Sequence, residues 1–285
     1  MNKVTLICIV SQLVLFNFIT LSKEIENNEE IKKTLRFSDP KAEKQLVVDN
    51  VFGSITVVGI KGDEVKLNVH KTTTAKSEKK FARAQQEIRL EITEEDNLID
   101  LYIDGPFRCK NGSVNFRGWR HYGYEVSYDF ELQVPFETEI TLKTVNDGEI
   151  SVKKIKGNYT VDNVNGGIKM HELEGSGHVY AVNGDVTVEF NKNPEKNCYF
   201  GSLNGEVKIY FQSPLSADFR LKTFNGDVYS DFPVTHLPQK KPFKLEKRNG
   251  KKVYKCDKTY GVRAGDGGPE IELDGFNGDI HIYKQ

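Results

Sequence analysis

The stretch AVNGDVTVEF (residues 181–190) writes an apolar residue, Asn-Gly, an acid, and then alternating apolar positions. The same order stands in GSLNGEVKI (201–209), KTFNGDVYS (222–230) and DGFNGDIHI (274–282), and in DNVNGGIKM (162–170) with Gly167 in place of the acid. Self-similarity at a fixed period is the mark of a repeat architecture. Aligned on the apolar residue that opens the corner, the rows give Val51, Val145, Val164, Val182, Leu203, Phe224 and Phe276, with Phe52 standing where the other rows have Asn. Three residues earlier stand Val48, Leu142, Val161, Val179, Phe200, Leu221 and Leu273, so both columns are apolar throughout. The row at 145 carries one extra residue in NDGE (146–149), which reads as a bulge or a widened turn.

Asn-Gly between alternating apolar runs is the usual signal of a two-residue hairpin. Pairing across such a hairpin would place the apolar column on one face with Asp185, Glu206 and Asp227. The core face would then take Asn50, Thr144, Asn163, Ala181, Ser202, Thr223 and Gly275. Because this puts polar residues inside, the hairpin is rejected in favour of a solenoid. The fold class expected is all-β, a parallel β-solenoid with two short strands per 18–21-residue coil. Asn-Gly is then a corner, with Gly supplying positive φ and stacked Asn side chains bonding along it. A second corner falls at KGN (156–158), EGSG (174–177), NKNPEKN (191–197) and QSPLSA (212–217).

Two insertions interrupt the stack. The first holds SEKKFARAQQEI (77–88), expected as a short helix capped by Ser77, and alternating strands such as EVKLNVHKT and NLIDLYID. The second, 233–268, holds KLEKRNGKKVYK (244–255), where Asn249-Gly250 predicts a true hairpin. The division expected is a signal peptide over 1–22, a polar linker over 23–33, and one domain over 34–285. Within it, 34–139 is an N-terminal β segment and 140–285 the stacked coils.

The N-terminal β segment ending in YDFELQVP (128–135), with the LKTVNDGEISV and RLKTFNGDVYS coils after it, resembles the bacterial putative-adhesin family of β-strand-repeat proteins. That resemblance implies an exported or envelope-associated β-solenoid. It carries no ligand, cofactor or catalytic residue onto any position.

The start of the chain, MNKVTLICIVSQLVLFNFITLS, has a charged Lys3, an apolar run, and Thr20 and Ser22 at cleavage-type positions, as in a secretory signal peptide. The alternative is a membrane anchor, since the run could nearly span a bilayer. With 40 basic and 41 acidic residues, overall charge favours neither nucleic acid nor an anionic membrane surface. Cys109, Cys198 and Cys256 show no CxxC spacing, so no zinc site is expected, and Cys198 is expected to be a buried small hydrophobe beside Phe219.

The acids Asp185, Glu206 and Asp227, expected in consecutive coils, could bind a cation or serve as a glycosidase pair, but they follow from turn chemistry alone. Neither a metal nor a cofactor is expected. The histidines, His171 and His178 among them, show no HExxH spacing. One segment departs from the repeat: NFRGWRHYGYEVSY (115–128) gathers Arg117, Trp119, Arg120, Tyr122 and Tyr124 in a Gly-punctuated loop. Aromatic faces stack on sugars or peptides and Arg adds planar donors, so these five are the candidate ligand contacts. The competing reading is that they cover an end of the solenoid. Function is expected to be non-enzymatic binding of an envelope protein or glycan. The alternative is a carbohydrate-active β-helix enzyme.

Overall fold

A computed structural model describes residues 24–39, 41–109, 114–115, 122–238, 243–248, 251–256 and 260–285. The N-terminal apolar run lies outside the described residues. The architecture is all-β with parallel strands at its centre, as expected. Two large sheets face one another. The first runs β1 (Ile25–Arg36), β4 (Glu64–Ala75), β7 (Tyr124–Pro135), β3 (Ile55–Ile60), β9 (Ile150–Lys153), β11 (Ile168–Leu173), β13 (Val186–Phe190), β15 (Val207–Phe211), β23 (Ile280–Lys284), β17 (Val228–Ser230). The second runs β18 (Val234–His236), β21 (Tyr260–Ala264), β16 (Ala217–Asn225), β22 (Glu270–Asn277), β14 (Cys198–Asn204), β12 (Gly177–Asn183), β10 (Tyr159–Asn165), β8 (Glu139–Thr144), β2 (Gln45–Asp49), β6 (Leu98–Asp104), β5 (Arg89–Glu95). Each Asn-Gly corner carries the chain from the second sheet into the first, as from β12 to β13. A hairpin would have kept both strands in one sheet.

Parallel registers set the apolar columns side by side: Val161 beside Val179, Val179 beside Phe200, Phe200 beside Leu273, Leu273 beside Leu221. Across the interior the sheets meet ring to ring, with Phe190 against Phe200 at 6.1 Å and Phe211 against Phe219 at 5.8 Å, both edge to face. All of these side chains are buried. At about 25 cal/mol per Å² of apolar surface withdrawn from water, these columns are the main stabilising term.

Four expectations need correction. First, the apolar column before Asn-Gly faces outward. Val145, Val164, Val182 and Leu203 are half-buried, and Phe276 and Phe224 are exposed. The residues one place earlier point inward: Asn50, Thr144, Asn163, Ala181 and Ser202 are buried. The cause is hydrogen bonding at the corner. Asn163 donates to the carbonyls of Gly148 (2.9 Å) and Gly167 (3.1 Å), Ser202 to Gly184 (2.8 Å), Thr144 to Gly53 (2.9 Å), and Asn50 to Gly53 (3.1 Å) and Tyr128 (2.8 Å). A buried carbonyl left unpaired would cost about 1–3 kcal/mol, more than a small apolar side chain there could return. Val51 is the buried exception, in the row whose Phe52 packs edge to face on Phe107.

Second, the rows do not stack in chain order. The last row, β22–β23, lies between β14–β15 and β16–β17, so Asp279 stands between Glu206 and Asp227 and Ile271 between Cys198 and Phe219. Third, the corner glycines serve space more than torsion. Only Gly53 (φ +107°) and Gly278 (φ +151°) take a positive φ there. A Cβ on Gly166, Gly184 or Gly205 would lie 2.0–2.3 Å from a carbonyl oxygen of the adjoining row. In the widened corner the extra residue, Asp147, takes φ +58°. Fourth, residues 23–33, expected as a linker, contribute most of β1, which pairs antiparallel with β4 along all twelve positions.

Beyond the parallel stack the ends differ. At the N-terminal end β7 still runs parallel to β3, β4 and β1 then extend the first sheet antiparallel, and β5 closes the second. The one helix among the described residues, α1 (Glu78–Glu87), starts after Ser77, whose hydroxyl accepts from the Lys80 amide. At the C-terminal end β21 and β18 close the second sheet, and a separate antiparallel pair, β19 (Phe243–Arg248) and β20 (Lys251–Cys256), flanks Asn249-Gly250.

Candidate binding surface

Stacking of parallel rows turns each outward position into a ladder. Along the corner, Asn225 donates to Asn277, Asn277 to Asn204, Asn204 to Asn183, Asn183 to Asn165 and Asn165 to Asn146, at 2.6–2.8 Å. The acid column joins the same corner: Asp185 accepts from the Glu206 amide and Asp279 from the Asp227 amide, both at 2.8 Å. Glu206 also pairs with Lys208. Asp185, Asp279 and Glu206 are thus engaged with backbone and lysine, and no cluster of three or more metal-ligating side chains occurs among the described residues.

On the outer face of the second sheet the ladder residues form a shallow groove of about 500 Å³. His178 and Tyr199, neighbours on β12 and β14, stack at 4.5 Å with planes 7° apart. The Tyr199 hydroxyl donates to Asp274 (3.4 Å), which also accepts from Lys222 (2.7 Å). Burial, with Asp274 beside it, raises the Tyr199 pKa well above the usual phenol range, so the hydroxyl stays a donor at neutral pH. Gly201 notches this face, lying between Tyr180 and Asp274 in register. A Cβ there would come within 3.0 Å of the Tyr199 hydroxyl and of a Tyr180 ring carbon. The groove's carboxylates are Glu139 on β8 and Glu270 and Glu272 on β22. Glu139 and Glu270 are four strand steps apart, roughly 19 Å at the usual spacing.

The five residues singled out from the sequence fall elsewhere. Arg117, Trp119 and Arg120 lie outside the described residues. Tyr122 is half-buried and stacks on Tyr124 at 5.6 Å, while Tyr124 is buried and its hydroxyl donates to Glu87 of α1. Arg83 lies over the Tyr122 ring and donates to Glu87 at 2.7 Å. Two tyrosines thus fasten the helix to the sheet, and the buried Tyr124 has no ring face to offer a ligand. Neither Tyr199 nor His178 stands out in the sequence as a pair. The usable signal was the 21-residue offset between them, which matches the row period.

Cys198 is buried and its thiol pKa is raised by that burial. Cys198 and Cys109 are both free thiols. No helix of the described residues is long and apolar enough to cross a membrane.

Residues 137–262 match the family model described as Toastrack DUF4097. Among solved structures, a putative cell adhesion protein from Clostridium sporogenes is 14% identical, with 91% of this chain and 100% of that chain covered at a TM-score of 0.43. A putative adhesin from Bacteroides fragilis is 11% identical over 90% of this chain and 97% of its own, at 0.39. A putative lipid binding protein from Parabacteroides distasonis is 12% identical over 89% and 96%, at 0.31. None of the curated proteins matches the chain. Over residues 137–262 the repeat stack is thus similar to Toastrack DUF4097, a domain of unknown function.

Proposed function

We propose that the protein is an exported, non-enzymatic binding scaffold whose partner is a glycan or protein of the cell envelope. The observation that carries this reading is the groove on the second sheet. It is shallow, open and lined by regularly laddered side chains, with His178 and Tyr199 at its middle and carboxylates at its two ends. Glycoside cleavage needs two carboxyls about 5–9.5 Å apart across the scissile bond. Glu139 and Glu270 stand far outside that range. Laddered rings and hydroxyls instead suit adhesion along an extended partner, where many modest contacts add up.

The second reading, a carbohydrate-active enzyme, is favoured by one feature: Glu270 and Glu272, two apart on β22, share this face at roughly 6.8 Å. Glu270, however, is paired with Arg220 at 3.4 Å. A glycan array probed with the protein and with Tyr199→Ala separates the two. Binding to an envelope glycan that Tyr199→Ala weakens, with the glycan recovered uncut, is the expected result. Release of shortened sugars that Glu272→Gln abolishes would replace the scaffold with the enzyme.

A further inference from the structure

The two large sheets end in four edge strands, and three of them are poor templates for another chain. β17 and β18 are three residues each, and β5 (RLEITEE) carries three carboxylates against one Arg. β1 differs from all of these. It runs twelve residues, contains no Pro and keeps one unbroken register with β4, so it has none of the breaks or bulges that usually blunt an edge. Its charges are divided along its length. Glu26, Glu29 and Glu30 lie in the first half, and Lys32, Lys33 and Arg36 in the second.

Backbone parity fixes how that edge can be used. On β7 the Tyr128 and Phe130 amides donate to the Phe52 and Ser54 carbonyls, away from β4, so the odd-numbered residues of β7 bond to β4. Carried outward through the registers, this means that the even-numbered residues of β4 bond to β7 and its odd-numbered residues to β1. The even-numbered residues of β1 then turn their N–H and C=O groups to the open edge. The Arg36 amide agrees, donating to the Glu94 carboxylate and not to β4. An antiparallel copy must therefore set even residues against even ones. Centred on Ile31, the strand meets its copy with Glu26 opposite Arg36, Glu29 opposite Lys33 and Glu30 opposite Lys32, each pair made twice, and with the half-buried Ile31 beside itself. Centred one residue earlier, it sets Glu30 against Glu30, and one residue later Lys32 against Lys32. Opposite charges stabilise a ladder and like charges do the reverse, so one register is selected.

We propose that β1 pairs antiparallel with β1 of a second copy of this chain, about a two-fold axis at Ile31, joining the first sheets of the two copies into one. The central ions stand ready for this: Glu30 and Lys32 are exposed and already meet at 2.7 Å within the strand. A two-fold contact uses the edge on both copies, so assembly through it stops at a dimer. The axis is perpendicular to the joined sheet, so the outer faces of both second sheets, with their grooves, point the same way. Two grooves turned to one surface raise avidity without any new contact. The pairing itself does not depend on what the groove binds.

The experiment is sedimentation velocity of the full chain over a range of concentrations, with no ligand added. The apolar N-terminal run is common to every sample, so the readout is the difference between variants. Wild type is expected to pass from monomer to dimer as concentration rises. Glu30→Lys and Lys32→Glu each turn two matched pairs into like-charge pairs and should each weaken the dimer by about thirty-fold. An equimolar mixture of the two variants should restore it, because every pair is then matched again. Asn28→Pro removes an amide that faces the open edge and none that bonds to β4, so it should abolish the dimer while circular dichroism stays unchanged. A wild type that is monomeric at every concentration would overturn the proposal. So would a dimer that all three changes leave intact, or a mixture of Glu30→Lys with Lys32→Glu that associates no more tightly than either variant alone.

Discussion

The two sides of the Asn-Gly corner are built from opposite materials. Inside stand Asn50, Thr144, Asn163 and Ser202, all buried, and outside stand Val164, Val182, Leu203, Phe276 and Phe224. Hydropathy alone would exchange them. The inner side is polar because the turning backbone leaves carbonyls of Gly53, Gly148, Gly167 and Gly184 pointing inward, and only short donors fit to pair them. The outer side is apolar because equal rows at strand spacing bring like side chains into van der Waals contact. Phe224 and Phe276 stack there in the same way that Tyr210 and Tyr283 do on the first sheet at 4.7 Å. Pairing of backbone groups decides which side faces in, and the apolar ridge is a consequence of repetition.

The largest effect is expected two residues before Ser202, on the same inward face of the same strand. Phe200→Ala removes a buried ring from the middle of the stack and is expected to cost about 3–5 kcal/mol in urea unfolding. Asn163→Ala leaves the Gly148 carbonyl without its side-chain donor, takes one of two donors from Gly167, which keeps the Ile150 amide, and is expected to cost about 2 kcal/mol despite making the interior more apolar. A neutral or stabilising result for Asn163→Ala would mean that hydropathy, not pairing, governs the corner.

Tyr124→Phe tests the N-terminal end and should lower stability by about 1 kcal/mol at neutral pH through loss of its bond to Glu87. Burial pushes the Glu87 carboxyl up, but the bonds from Tyr124 and Arg83 prevail and hold it below the usual range. Its contribution is therefore present above the unfolded carboxyl pKa and is lost as pH falls through the folded one. The gap between wild type and Tyr124→Phe should accordingly narrow in acid. Stability measured against pH shows whether it does. Smallest of all, Phe224→Ser on the outer ridge should change stability by less than about 0.5 kcal/mol, since that ring is already 56% exposed.

Much of the fold was legible in the repeat. The rows, their corners and their parallel stacking follow from one period, and the Asn ladder was expected and is continuous from Asn146 to Asn225. What the sequence concealed was long-range order. Nothing local says that the row at Phe276 enters between those at Leu203 and Phe224, because every row has equivalent strand edges and only the length of the 233–268 insertion allows the return. The facing of Asn163 and Ser202 was misread for a related reason: the carbonyls they satisfy belong to the turn itself or to an adjoining row, and become visible only once the rows are stacked. The candidate surface was the least legible. Tyr199, His178 and Asp274 come from three rows, and no spacing within a single row reports their meeting.

The central claim is the facing of the corner, and site-resolved thiol labelling tests it most directly. Ser202→Cys and Leu203→Cys place a thiol at neighbouring positions on opposite sides of one corner, and peptide mass mapping separates them from the native cysteines. The account predicts rapid modification of Leu203→Cys in the native protein and protection of Ser202→Cys until unfolding. Rapid modification of Ser202→Cys with protection of Leu203→Cys would reverse the facing of the repeat and contradict it.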